Sequence, residues 1–108
     1  MTDNPRYALY ESAYTVVAAD KAEEECTFTC DLVGRCCESG DIIQPKIMLP
    51  ESVKRGDLIA VLTTGAYNYS MSSNYNRIPK LPVIMVNGND DYVAVKGETL
   101  EDIIRNDM

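Results

Sequence analysis

Every apolar run in this chain is short, and each is stopped by a turn signal before a helix of ordinary length is reached. The clearest is Cys26-Thr27-Phe28-Thr29-Cys30-Asp31-Leu32-Val33. Its alternation puts Cys26, Phe28, Cys30 and Leu32 on one face and Thr27, Thr29 and Asp31 on the other, the period of a half-buried strand. Gly34 ends it. Residues 14–19 are β-branched and aromatic and read as a strand. Residues 42–49 form an extended segment that is an edge or is interrupted at Pro45, which has no N–H for a ladder. Residues 58–62 are the most hydrophobic run and read as a strand buried on both faces. Residues 80–86 and 92–95 flank Asn87-Gly88, the strongest hairpin signal present. Thr99, with Glu101 and Asp102 following, reads as the N-cap of a short helix whose apolar face is Leu100, Ile103 and Ile104. These elements predict one mostly β domain over residues 1–108. The expected architecture is an antiparallel β-sandwich or Greek-key barrel with a short C-terminal helix.

Charge narrows the partners. A formal net charge of -7 argues against nucleic acid and against an anionic membrane surface. No apolar run approaches the roughly 18 residues that span a bilayer. The first residues, Met1-Thr2-Asp3-Asn4-Pro5-Arg6, are polar rather than a secretory leader, so a cytoplasmic protein with reduced thiols is expected. Cys26, Cys30, Cys36 and Cys37 have no CxxC spacing and no His beside them, which makes a structural zinc site improbable. Cys26 and Cys30 read as small buried hydrophobes.

Two stretches do not look like core. Cys36-Cys37-Glu38-Ser39-Gly40-Asp41 packs thiol, carboxylate, hydroxyl and glycine into one turn. Residues 65–76 form a polar, tyrosine-rich irregular loop with one short helical turn expected near Ser70. Loops carried on a rigid scaffold are where function concentrates. A thiol holds its proton at neutral pH and can deliver it, but a cysteine nucleophile wants a His base, and this chain has none. On residue types alone, an ordinary turn cysteine stands ahead of a catalytic one at Cys37. Arg6 and Tyr10 lie four apart and make a donor pair suited to a carboxylate if local geometry joins them. Tyr67 and Tyr69 are placed to reach a phosphate or a ring. Tyr75 reads as a plug whose neighbours Asn74 and Asn76 tie the loop down.

These stretches resemble the C-terminal part of the diaminopimelate decarboxylases, pyridoxal-phosphate enzymes of the alanine-racemase-like fold. The family's Cys-Glu-Ser-Gly-Asp motif stands at residues 37–41. Its Gly-Ala-Tyr-x-x-Ser-Met-x-Ser-Asn-Tyr-Asn motif stands at residues 65–76. Its Arg-Pro-Ala-Leu-Tyr stands as Arg6-Tyr7-Ala8-Leu9-Tyr10, with Tyr7 replacing the proline, and the last helix begins alike at Glu98-Thr99-Leu100-Glu101-Asp102.

The resemblance implies a cofactor, pyridoxal 5'-phosphate, and a substrate, meso-diaminopimelate, converted to L-lysine and carbon dioxide. It also implies roles: Cys37 as proton donor, Glu38 on the substrate's distal ammonium, Arg6 and Tyr10 on its distal carboxylate, and Tyr67 against cofactor and substrate. The family's N-terminal (β/α)8 barrel, with its cofactor-anchoring lysine and phosphate site, has no counterpart here. An excised C-terminal domain, inactive alone, is therefore expected. The complete enzyme would be a homodimer in which the Cys-Glu pair reaches the partner's site. Ornithine and arginine decarboxylases of this fold typically carry an aspartate after the cysteine. Glu38 and the Arg6/Tyr10 pair favour a substrate with a distal carboxylate. Two other readings stand beside it: a free-standing binding module on the same scaffold, which the gene sequence upstream of Met1 separates, and the domain of an ornithine- or arginine-type decarboxylase, which a substrate panel on the full-length enzyme separates.

Overall fold

The computed structural model describes residues 1–108. Six strands pair two by two into three antiparallel ribbons, β1 with β4, β2 with β3, and β5 with β6. The strands are β1 Val16–Ala18, β2 Cys26–Val33, β3 Ile42–Pro50, β4 Ile59–Val61, β5 Val83–Asn87 and β6 Asp90–Val95. Three short helices accompany them: α1 Arg6–Tyr10, α2 Asn68–Met71 and α3 Leu100–Ile104. The sheet-rich reading holds. The helical turn expected near Ser70 and the C-terminal helix are both present, as α2 and α3, and α1 adds to them; the strands pair as three ribbons that do not close into a barrel. No helix is long and apolar enough to cross a membrane.

The β2–β3 ribbon shows how local chemistry sets register. Cys30 faces Ile47 and Leu32 faces Gln44, so Asp31 alone opposes Pro45 and Lys46. That is a bulge, and Pro45, which lacks a donor, occupies it as the sequence predicts. Lys46 takes a left-handed φ of 51° there, and its amide is satisfied by the Asp31 side chain at 2.8 Å. The β5–β6 hairpin closes on the Asn87–Asp90 pair, with Gly88 at φ 63° in the first turn position. At α3 the predicted cap is formed: the Thr99 hydroxyl accepts from the Asp102 amide at 3.2 Å, and the Asp102 carboxylate accepts the Thr99 amide at 2.8 Å.

Burial departs from the sequence pattern. The apolar core is only Ala18, Ile47 and Leu49, flanked by Val16, Cys30, Leu32, Val53 and Ile59, with Pro50 fully enclosed. Cys26 is exposed and Phe28 is 51% exposed, against the expectation of a buried face. A register shift between them breaks the alternation, and nothing in this chain covers that end of the ribbon. The β4 run is half-buried rather than covered on both faces, with Leu58 and Leu62 open to solvent. A compact chain of this length has a radius of gyration of about 13 Å; this one measures 15.5 Å. Its accessible surface is 8120 Å², where about 6,000 Å² is usual for a compact monomer of this mass.

Candidate functional site

The N-terminal segment supplies the first part of the site. Pro5 stands before α1, whose one turn is closed when the Leu9 amide reaches the Pro5 carbonyl at 3.1 Å. Glu11 ends it in the left-handed region, its amide on the Tyr7 carbonyl at 2.8 Å. This turn stacks Arg6 and Tyr10, four apart, on one face. The Arg6 guanidinium lies 6.0 Å from the centroid of Tyr10 and 5.1 Å from that of Tyr67. Rings at this range hold a cation by their quadrupoles. The Arg6 Nε is buried and has no hydrogen-bond partner, and none of the chain's ion pairs involves Arg6. An unpaired buried N–H is costly, and a charged one more so. The guanidinium as a whole has no partner in the chain, and Arg6 lines a cleft of about 270 Å³ with Tyr10, Tyr67 and Met71.

Tyr67 is presented by strained backbone. Its φ of 71° and ψ of -33°, with the Asn68 amide on the Ala66 carbonyl at 3.0 Å, make a γ-turn of the rare φ-positive kind. Such strain costs on the order of 1–3 kcal/mol and persists where neighbours over-determine it. Here α2 follows at once, anchored by the buried Asn68, whose side-chain nitrogen donates to the Thr64 carbonyl at 2.9 Å. The ring itself is 65% exposed.

The β2–β3 loop supplies the second part. Asp41 is 4% exposed and holds the loop's base. Its backbone carbonyl takes the Gly34 amide at 2.8 Å, and its carboxylate takes the Cys36 amide at 2.8 Å and the Met1 nitrogen. Burial opposes its charge, but these donors outweigh burial and hold its pKa below the ordinary carboxyl value. The same carboxylate, second to burial, keeps the neighbouring Cys36 thiol above its ordinary value. Gly34 is required here because any Cβ would occupy the space of the Asp41 carboxylate. Glu38 folds onto its own turn: one carboxylate oxygen accepts the Gly40 amide at 3.0 Å and the Ser39 hydroxyl at 3.2 Å. Its other oxygen makes no hydrogen bond to the chain.

The two parts are tied by polar contacts. The Ser73 amide donates to the Thr2 carbonyl at 3.0 Å, joining the tyrosine loop to the N-terminal segment, which itself meets Asp41 through Met1. Cys37 Sγ meets the Asn76 side chain, the amide nitrogen at 3.4 Å and the oxygen at 3.8 Å. Asn74 reaches the Glu98 carboxylate at 2.5 Å, and Arg77 pairs with Asp107 at 2.6 and 2.9 Å, fastening the loop's end to the C-terminal segment. Arg6, Tyr10 and Tyr67 are thus brought into one cluster. Cys37 is bound to the far end of Tyr67's own loop. Glu38 stands beside Cys37 and makes no hydrogen bond to any of the other three. Tyr75 is 42% exposed and is no plug, while its two asparagine neighbours do tie the loop. Sequence reasoning missed Gly34, Asp41 and Glu98 as the residues that hold the loops; a lone Gly three residues before the Cys37-Glu38 pair is the available signal.

For a pyridoxal phosphate these residues fit a rim, not an anchor. An exposed phenol on strained backbone and an unpaired guanidinium can meet a ring or an anionic ligand. No lysine lines this cleft.

The family profile described as pyridoxal-dependent decarboxylase, C-terminal sheet domain, matches residues 1–65. The chain is 49% identical over 108 residues to the diaminopimelate decarboxylase of Bacillus subtilis (strain 168), covering 100% of itself and 24% of that protein. It is 41% identical over 107 residues to that of Synechocystis sp., covering 99% of itself and 23% of that protein. Among solved structures, the diaminopimelate decarboxylase of Helicobacter pylori complexed with L-lysine superposes with a TM-score of 0.85 at 37% identity. That match covers 97% of this chain and 25% of the other. The M. jannaschii enzyme in co-complex with L-lysine gives 0.88 at 27% identity, covering 100% and 24%. The chain therefore spans about a quarter of the length of the relatives it matches. With more than half its residues inside the family profile, and the Arg-Tyr and Cys-Glu elements in place, the chain belongs to the family of pyridoxal-dependent decarboxylase C-terminal sheet domains.

Proposed function

We propose that residues 1–108 are the C-terminal domain of a diaminopimelate decarboxylase, which in its complete form converts meso-2,6-diaminopimelate to L-lysine and carbon dioxide. An N-terminal (β/α)8 barrel carries the pyridoxal 5'-phosphate. The complete enzyme is a cytoplasmic homodimer in which the Cys37-Glu38 turn enters the partner's site. In that setting the three ribbons close into an antiparallel sandwich or barrel, using the apolar faces that stand open here. The observation that carries the reading is the Arg6 guanidinium, set against two tyrosine rings with no acceptor in the chain. A planar guanidinium so placed is built to take a carboxylate in two parallel hydrogen bonds.

Each residue then has a task. Arg6 and the Tyr10 hydroxyl grip the substrate carboxylate that does not react, and the rings flanking the guanidinium keep it from folding away. Glu38 uses its unengaged oxygen for the distal ammonium, while its other oxygen stays on the Gly40 amide. Tyr67 sets its phenol against cofactor and substrate. When bound, the cofactor supplies the electron sink for the carbon that loses carbon dioxide. Cys37 then delivers its proton to that carbon and must be reprotonated before the next turnover. The distal carboxylate separates this substrate from ornithine or arginine, which offer Arg6 nothing to bind.

The test joins this chain to the barrel of the Bacillus subtilis relative and assays lysine and carbon dioxide formation. Diaminopimelate should be consumed, while ornithine and arginine should not. Arg6→Met should lower kcat/KM for diaminopimelate by more than about a hundredfold, about 3 kcal/mol, chiefly through KM. Turnover of ornithine in preference to diaminopimelate would overturn the assignment. The isolated chain should release no carbon dioxide with cofactor and substrate added.

A further inference from the structure

We propose that Asn76 is a positioning residue for the Cys37 thiol, holding the sulfur through both protonation states; this rests on the proton-donor role given to Cys37 above. The geometry is specific. Asn76 Nδ2 donates to Cys37 Sγ at 3.4 Å, and the Cys37 S–H reaches Asn76 Oδ1 at 3.8 Å, across 39 residues of sequence. The Asn76 side chain makes no other hydrogen bond. A single amide thus presents a donor that serves thiol and thiolate alike, and an acceptor that serves only the thiol. That suits a sulfur that gives up a proton and takes one back without leaving its place.

The backbone explains why the residue is asparagine. Asn76 sits at φ 57° and ψ 22°, in the left-handed region that asparagine tolerates better than most residues. Its turn is fixed on both sides. Asn74 donates to the Ile78 carbonyl at 3.1 Å and to Glu98 at 2.5 Å, and Arg77 pairs in two hydrogen bonds with Asp107. The amide is therefore delivered to the sulfur by a pinned turn, while Cys37 itself is exposed.

The experiment uses the complete enzyme carrying this chain. The rate of iodoacetamide alkylation is followed against pH for each cysteine by fragment-ion mass, which separates adjacent Cys36 from Cys37, with Cys26 and Cys36 as internal references. Asn76→Asp keeps the left-handed backbone but sets an acceptor-only anion beside the sulfur. Its Cys37 alkylation midpoint should rise by about one pH unit or more, about tenfold slower at a fixed pH below the midpoint. Asn76→Gly keeps the backbone and removes the amide; kcat should fall about tenfold with KM for diaminopimelate unchanged, as expected of a group acting in the chemical step. In both variants Cys26 and Cys36 should alkylate as in the parent, which general loosening of the loops would not allow. If either variant fails to fold, the other decides. Parent-like Cys37 profiles and kcat, in an enzyme that Cys37→Ala inactivates, would overturn the positioning role alone. An unchanged kcat in Cys37→Ala would instead overturn the proton-donor role on which it rests.

Discussion

Gly34→Ala is the substitution whose cost the structure fixes most directly. The new methyl would sit inside the van der Waals envelope of all three Asp41 carboxyl atoms. The side chain has nowhere buried to go, being 4% exposed and bonded to the Cys36 amide at 2.8 Å. Swinging out loses a charge-assisted hydrogen bond and leaves that amide without its partner, a cost of about 1.5–3 kcal/mol. Against this, Ala for Gly restricts the unfolded chain and returns about 0.4–1 kcal/mol. The net loss is about 1.5 kcal/mol. With a urea slope of about 1.5 kcal/mol per molar, the midpoint should drop by about 1 M. The decisive assay is a double-mutant cycle with Asp41→Ala, which empties the space the methyl needs. In that background Gly34→Ala should be neutral or slightly stabilising, giving a coupling of about 2 kcal/mol. Equal effects of Gly34→Ala in both backgrounds would refute the claim that Gly34 exists to seat the Asp41 carboxylate.

The remaining predictions concern acid, strain and surface. Asp41, Asp57, Glu98, Asp102 and Asp107 all have folded pKa values below their ordinary ones. The unfolded chain therefore binds protons more readily, and stability rises with pH. That stability is complete above the ordinary carboxyl range, about pH 4–4.5, and is lost as pH falls through the lowered folded values; a urea midpoint flat from pH 7 to pH 3 would contradict it. At Tyr67, φ 71° reverses the usual order of small residues. Tyr67→Gly should be more stable than Tyr67→Ala by about 1 kcal/mol in urea titrations, and both should lose activity alike. The chain's surface exceeds that of a compact monomer by about 2,000 Å², with Leu58, Leu81, Val86 and Leu100 among the residues at least 60% exposed. The isolated chain should bind an apolar dye, and joining the barrel should abolish that binding; dye binding unchanged by the barrel would show that those faces are not its seat.

What the sequence made legible follows from where local chemistry decides the outcome. β2, the Asn87-Gly88 hairpin and the Thr99 cap are fixed by period, by turn geometry and by one side-chain hydrogen bond, all readable in a few consecutive residues. α1 was not legible. One turn is too short to show a period, Pro5 offers no capping side chain, and Glu11 rather than Gly takes the left-handed stop. Burial was misread at Cys26, Phe28 and residues 58–62 because alternation names the face that seeks cover, not whether this chain supplies it.

That distinction bears on the site itself. The buried apolar residues, Ala18, Ile47 and Leu49, belong to β1 and β3. The four buried polar ones, Thr2, Asn4, Asp41 and Asn68, all lie in the segments that carry Arg6, Cys37 and Tyr67. Hydrophobic packing therefore sets up the ribbons, while hydrogen bonds hold the site loops on them. Such bonds are directional and depend on single partners. The family motifs are dense in the residues that make them: Ser, Asn, Gly and Asp between the tyrosines and cysteines. Asp41 and Asn76 are among them, and each has a partner in the neighbouring turn: the Cys36 amide for Asp41 and the Cys37 sulfur for Asn76. The motifs are specific because they capture the loop architecture together with the candidate site residues.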